Sequence, residues 1–181
     1  MAAKMPRPGG DSTKTALTHV ENTLDPIIFP DSRVLLLGSM PSPKSREIGF
    51  YFGNPQNRFW RVVAALYGEK PLKSISEKID FCKRHHLALC DVLKACDIKG
   101  ASDASIANPI PHNIGALIQD SSICAIFTLG GTATKFYKRY TEQQTGIPAR
   151  QLPSTSPANA RMSVEDLVEE FSIIKKFTIV S

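Results

Sequence analysis

No apolar run in this 181-residue chain approaches the roughly 18–20 residues that cross a bilayer, which excludes a helical membrane protein. The first eighteen residues hold no hydrophobic block either, so no secretory leader is expected. The protein is read as soluble and intracellular, in nucleus or cytoplasm. Cysteines are few: Cys82, Cys90, Cys96 and Cys124, with no C-x-x-C pair. Of four histidines only His85 and His86 are neighbours. Zinc and iron–sulfur sites need clustered soft ligands, so no metal is expected and the thiols are read as buried and reduced. Nor is there a G-x-x-x-x-G-K-S/T anywhere, which excludes the usual phosphate-cradling loop.

What is present is ordinary globular material, 42% apolar and 22% charged, in a length suited to one domain. The net charge of +5 is uneven. Lys44 to Lys99 carries eleven Lys/Arg against six Asp/Glu, and Lys135 to Arg161 five against one. Two basic stretches fit a side that faces a polyanion, and they fit a solvated lysine-rich surface equally well.

Met1 to Thr18, with Pro6, Pro8, Gly9 and Gly10, reads as a disordered tail before a single domain over 19–181, with order expected from near Leu24. Arg33-Val-Leu-Leu-Leu-Gly38 has the continuous apolar pattern of a strand buried on both faces. A Pro-, Ser- and Gly-rich loop follows from Ser39 to Gln56. Helical spacing then covers Asn57 to Tyr67, and an S-x-x-E box at Ser74 opens a helix to His86. Leu87 to Leu93 predicts a second strand, Lys94 to Pro111 a polar loop, and His112 to Asp120 a short helix. Ile123 to Leu129 predicts a third strand, closed by Gly130-Gly131 and followed by a helix over 132–140. A fourth strand ends at Leu152. The last helix opens at Ser163 and buries Val164, Leu167, Val168 and Phe171. Strands alternating with helices predict an α/β fold with a parallel sheet covered on both faces.

In such sheets ligands bind beyond the carboxyl ends of the strands. Gly38-Ser39-Met40-Pro41 sits at one such end, where a glycine admits a ligand and a proline fixes the turn. An ordinary strand-to-loop turn fits it too. Gly49-Phe-Tyr-Phe-Gly-Asn-Pro-Gln-Asn-Arg-Phe-Trp60 concentrates four aromatics in twelve residues of a chain that is 8% aromatic. Phe59 and Trp60, on the helix, are expected in the core. Tyr51 and Phe52, in the loop, are expected to be displayed for stacking on a flat ligand. Leu152-Pro-Ser-Thr-Ser-Pro-Ala-Asn159 combines hydroxyls and stiff prolines, which suits phosphate contacts and a rigid wedge, or a plain turn.

The order G-S-M-P, N-P-x-N-x-F-W and L-P-S-T-S-P-A-N resembles the uracil-DNA glycosylase superfamily, and within it the hypoxanthine-DNA glycosylase (DNA-deoxyinosine glycosylase) branch. The similarity runs over roughly residues 24–178 and takes in Gly100-Ala-Ser-Asp103 and Asn108-Pro-Ile-Pro-His-Asn113. It implies a three-layer α/β/α sandwich around a four-stranded parallel sheet. It also implies a monofunctional glycosylase acting in base-excision repair on DNA with a deaminated base, as a monomer, without cofactor or metal. Hypoxanthine is the base the branch implies, with uracil and xanthine as alternatives.

Two departures stand out. Most members carry Asp or Asn before the proline of the first motif, where it positions water; here that residue is Met40. The branch relies instead on an asparagine matching Asn57. The last motif often begins with His or Asn, and here with Leu152.

By resemblance, Phe52 stacks on a base flipped out of the helix, at a cost of a few kcal/mol for the flip. Backbone N–H groups of Ser39 and Met40 are placed to meet charge on the departing base. Asn57 holds water through its side-chain carbonyl or binds the base edge; as a plain helix cap it would bond an N–H two or three residues on. Asp91 orders water or binds a base N–H, or equally is a structural acceptor, and Asp103 and Asn113 are further candidates. Pro153, Ser154, Thr155, Ser156 and Pro157 are assigned to the DNA backbone and the vacated stack, with Arg58, Arg61, Arg150 and Arg161 as candidate phosphate partners that each read equally as a surface charge. A non-catalytic DNA-binding module and a small-molecule nucleoside hydrolase remain as alternatives.

Overall fold

The structure, a computed structural model, describes residues 16–179. Its elements in chain order are β1 (Thr18–Glu21), β2 (Val34–Gly38), α1 (Pro43–Ile48), α2 (Phe59–Leu66), α3 (Ile75–Arg84), β3 (Leu87–Asp91), β4 (Leu93–Lys99), β5 (Ser102–Pro111), α4 (Ile114–Ile118), β6 (Ala125–Leu129), α5 (Gly131–Tyr140), α6 (Glu142–Thr145), β7 (Ala149–Leu152), α7 (Val164–Phe171) and α8 (Lys175–Thr178). Residues 1–15, most of the expected tail, lie outside the described residues. Thr18, expected to be its last residue, already opens β1, ahead of Leu24.

The central sheet runs β3-β2-β6-β7 and every pairing is parallel. Three of its strands, β2, β3 and β6, are buried at every position because both faces are covered. Val34, Leu36, Leu87, Leu89 and Phe127 pack with Phe59, Val63, Phe81 and Leu167 from α2, α3 and α7. The alternate residues Leu35, Leu37, Ala88, Cys90 and Ile126 pack with Ile114, Ala133, Phe136 and Tyr137 from α4 and α5. These are the layers of the α/β/α sandwich. Removing a ring as fully buried as Phe59 from such a core typically costs about 3–5 kcal/mol.

Local signals hold the helices in register. Ser74 and Ser163 each form a reciprocal capping box, with Glu77 and Asp166. Asn113 caps α4 by accepting from the Ala116 N–H, so this residue is structural and lies away from the site. In α7 the buried pair is Leu167 and Phe171, with Val164 and Val168 only partly covered.

Three expectations are corrected. The segment read as a polar loop, Lys94 to Pro111, is a hairpin, β4–β5, which with β1 forms a second, antiparallel sheet in the order β1-β4-β5. Register shifts at three points interrupt its alternation, and β5 is an edge strand carrying prolines, which hid it in the sequence. The long loop from Ser39 contains α1, capped by Ser42 with Pro43 in its first turn. Of the four thiols, Cys82, Cys90 and Cys96 are buried but Cys124 is exposed. No helix among the described residues is long and apolar enough to cross a membrane.

Candidate active site

A cleft of about 640 Å³ opens at the carboxyl ends of the parallel strands. The turns after β2, β6 and β7, the end of β3, α1, and the tip of the β4–β5 hairpin all contribute to its walls. It gathers Gly38, Ser39, Met40, Pro41, Phe52, Asn57, Asp91, Ser154, Thr155, Ser156 and Pro157. Of the candidate site residues singled out from sequence, Pro153, Asn113 and the four arginines Arg58, Arg61, Arg150 and Arg161 are not part of the lining.

The floor is the junction of β2 and β3, where Gly38 pairs with Asp91. A Cβ on Gly38 would lie 2.4 Å from Asp91 Oδ1, so glycine here lets the carboxylate sit against the backbone. Asp91 is 3% exposed, and the Asn22 amide donates to its Oδ2 at 3.2 Å. Burial pushes its carboxyl up to about 7, against the Asn22 hydrogen bond and helped by the nearby Asp103 carboxylate. Asp103 enters from the hairpin and accepts a hydrogen bond from the Ser39 hydroxyl; burial pushes its carboxyl up from its ordinary value, and that hydrogen bond opposes the shift. Both acids line the cleft, and no Lys, Arg or His does so among the described residues. The Ser39 and Met40 backbone N–H groups have no acceptor among the described residues, which leaves them open to a ligand.

The aromatic wall is layered. Phe52 lies parallel to Phe59 with ring centroids 4.0 Å apart, and is held at φ 52°. Positive φ is costly for an aromatic residue and persists only where packing enforces it, so the ring is fixed in place beside the cleft. Tyr51, expected on display, is instead 2% exposed and part of the core. Trp60 Nε1 donates to the Tyr51 carbonyl at 2.9 Å, and Phe59 and Trp60 are buried as expected.

Asn57 is the junction between two walls. Its Oδ1 accepts from the Phe59 N–H at 2.9 Å and from the Thr155 hydroxyl at 2.9 Å. Both lone-pair directions of that carbonyl are therefore in use, and the water-holding role for it is corrected. The Nδ2 donor, with no partner among the described residues, is what Asn57 can offer a ligand.

The Ser/Pro loop is tied down from behind. Arg58 does not face phosphate: its guanidinium donates to the carbonyls of Thr155, Ser156 and Asn159, the last two at 2.9 and 2.7 Å, and to that of Met162. Thr155 is likewise spent, 2% exposed with its hydroxyl on Asn57, so its phosphate role is corrected. Ser154 and Ser156 hydroxyls accept from backbone N–H groups two residues on, which leaves each O–H free to donate. Arg61, Arg150 and Arg161 are exposed and outside the lining, and Leu152 is buried in the core. Two contributors carried little local signal: Asn22, sixty-nine residues before the carboxylate it holds, and the hairpin tip.

A strand-end cleft with an aromatic platform, open backbone N–H groups and a clamped Ser/Pro loop defines a class of enzyme that works on a flat base drawn out of a nucleic acid. The Uracil DNA glycosylase superfamily matches residues 26–173, and the chain belongs to that family. It is a DNA glycosylase, a hydrolase of N-glycosyl bonds. A relative from Methanosarcina acetivorans named "Hypoxanthine DNA glycosylase" is 30% identical over 138 residues, 76% of this chain and 87% of its own. One of the same name from Methanosarcina barkeri is 29% identical over 75% and 86%. A solution NMR structure from Methanosarcina acetivorans, given provisionally as a uracil DNA glycosylase, is similar at a TM-score of 0.74 and 27% identity, over 86% of this chain and 97% of that one.

Proposed function

We propose that the base removed is hypoxanthine, and that the protein acts as a monomeric single domain, inside the cell, on DNA carrying deaminated adenine. The flipped base stacks on the cleft side of Phe52, whose other face rests on Phe59. Such a contact is worth roughly 1–3 kcal/mol, which offsets part of the unstacking cost. Asp91 meets the edge of the base, accepting from the lactam N–H, and Asn57 Nδ2 donates to an acceptor on the ring. Ser39 and Met40 N–H groups meet the negative charge that builds on the base as its bond to the sugar breaks. The Ser154 and Ser156 hydroxyls donate to phosphates, and Pro157 presses into the vacated stack.

The carrying observation is the carboxyl of Asp91 on the cleft floor, buried, fixed by Asn22 and titrating near neutrality. The names of the two Methanosarcina relatives support the same substrate. The test is base release from an oligonucleotide with one deoxyinosine, beside a matched deoxyuridine strand and the Asn57→Ala protein. Alkali-sensitive cleavage of the inosine strand, lowered at least tenfold by the substitution, is expected. Release of uracil alone would replace hypoxanthine by uracil. Tight DNA binding with no release of either base would leave a binding module.

A further inference from the structure

Hydrolysis needs a group to orient the attacking water, and the groups expected to do so are absent or occupied. Position 40 is methionine, which can neither accept nor donate usefully. The Asn57 carbonyl already takes two protein donors. Among the described residues, only Asp91 and Asp103 bring a carboxyl group to the cleft.

These two carboxylates differ in setting. Asp91 lies at the bottom, against the Gly38 backbone and bonded to Asn22. Asp103 is only half-buried and reaches in from the hairpin tip beside the first motif. The Ser39 hydroxyl holds its Oδ2, and its Oδ1 has no donor among the described residues. A hydroxyl that donates to a carboxylate favours its ionised form, whereas the deeper, unsolvated partner keeps its proton. Paired acids whose environments differ in this way divide into a base and an acid.

We propose that Asp103, carried on the β4–β5 hairpin and fixed by the Ser39 hydroxyl, is a catalytic residue that orients and deprotonates the attacking water, doing from the second sheet what the residue at position 40 does not. The step rests on the deoxyinosine reading above. Water oxygen bonds to C1′ as the C1′–N9 bond breaks, and that electron pair leaves with the purine. The water's proton passes to Asp103 Oδ1, and the purine takes a proton on its lactam oxygen from the Asp91 carboxyl, whose other oxygen accepts the lactam N–H. Exchange with solvent then restores both acids. The ionised Asp103 also lies close to the positive charge that develops on the sugar.

The test is single-turnover release of hypoxanthine by the full chain and by Asp103→Asn and Asp103→Glu proteins, with binding to the same inosine duplex measured in parallel. Asp103→Asn is expected to lose 10²–10³-fold in rate, on the order of what one preorganised catalytic group supplies, while its affinity stays within about threefold. Retained affinity shows that the fold and the cleft survive. Asp103→Glu is expected to recover at least tenfold over Asp103→Asn. An Asp103→Asn protein within threefold of the parent rate overturns the proposal and leaves the substrate reading standing. Equal loss of rate and affinity in both variants overturns it too, in favour of a structural role. A parent protein that releases no hypoxanthine overturns the substrate reading, and the proposal with it.

Discussion

Asp91 shows at the residue scale how this site sets chemistry against stability. Its folded carboxyl titrates near 7 where an unfolded one titrates near 3.8. The folded chain therefore binds more protons between those values, and its stability falls as pH rises from about 4 to about 7. Above that window the ionised group remains as a penalty on the order of a few kcal/mol. Asp91→Asn keeps an acceptor for Asn22 and removes the ionisation. Urea denaturation at pH 5 and pH 8 should show the variant more stable than the parent at pH 8, and much less so at pH 5. Base release should fall at least tenfold in the same protein. A variant without the pH 8 gain would mean that the carboxyl is better solvated than its 3% exposure implies. Asp91 was legible in the sequence as a carboxylate at a strand end. Its partner Asn22 was not, because nothing local marks a contact across sixty-nine residues.

Among the elements, the turn into α2 does the work of a hinge pin. Asn57 and Arg58 together hold the loop after β7, one through the Thr155 hydroxyl and the other through four backbone carbonyls. Arg58→Lys keeps the charge but loses the planar fork that reaches several acceptors at once. It should cost about 2–3 kcal/mol in denaturation and weaken binding to an inosine duplex more than tenfold. Parental affinity in Arg58→Lys would show that the Ser/Pro loop keeps its shape without the clamp. Sequence alone placed Arg58 among the phosphate partners, since an arginine's role depends on where its guanidinium ends rather than where its Cα lies. Three strands of the parallel sheet, β2, β3 and β6, were readable because double-sided burial writes an apolar run such as Val34–Leu37. The hairpin was not: β4 shifts register along its length, and β5, on the edge, spends Ser, Asp, Asn and Pro where an inner strand would place Val or Ile.

For the whole molecule, the net charge of +5 and the acid-lined cleft divide the labour of binding. The cleft proposed to take the base holds no Lys, Arg or His among the described residues, so on that proposal attraction for the DNA backbone comes from the rim and the surface beyond it. A chain that neutralises three or four phosphates with residues such as Arg61, Arg150 and Arg161 should show a log–log salt slope of roughly −3 to −4. Arg161→Glu should reduce that slope by about 1 and leave the single-turnover rate of the saturated complex unchanged. A slope near zero in a fluorescence-anisotropy titration would move the weight of binding from phosphates to the cleft.

The indole of Trp60 is the chain's one tryptophan, and it stands two rings from the cleft, edge-on to the Phe59 that backs Phe52. It is 6% exposed, with its N–H on a main-chain carbonyl and its face on Phe50. That arrangement gives the protein a built-in optical reporter. Its emission belongs at short wavelength in the unliganded fold, and a base settling on Phe52 as proposed should alter it through Phe59, the ring between them. The arrival of a nucleotide in the pocket can thus be timed by stopped flow, apart from the slower bond cleavage, without any label on the protein or the DNA.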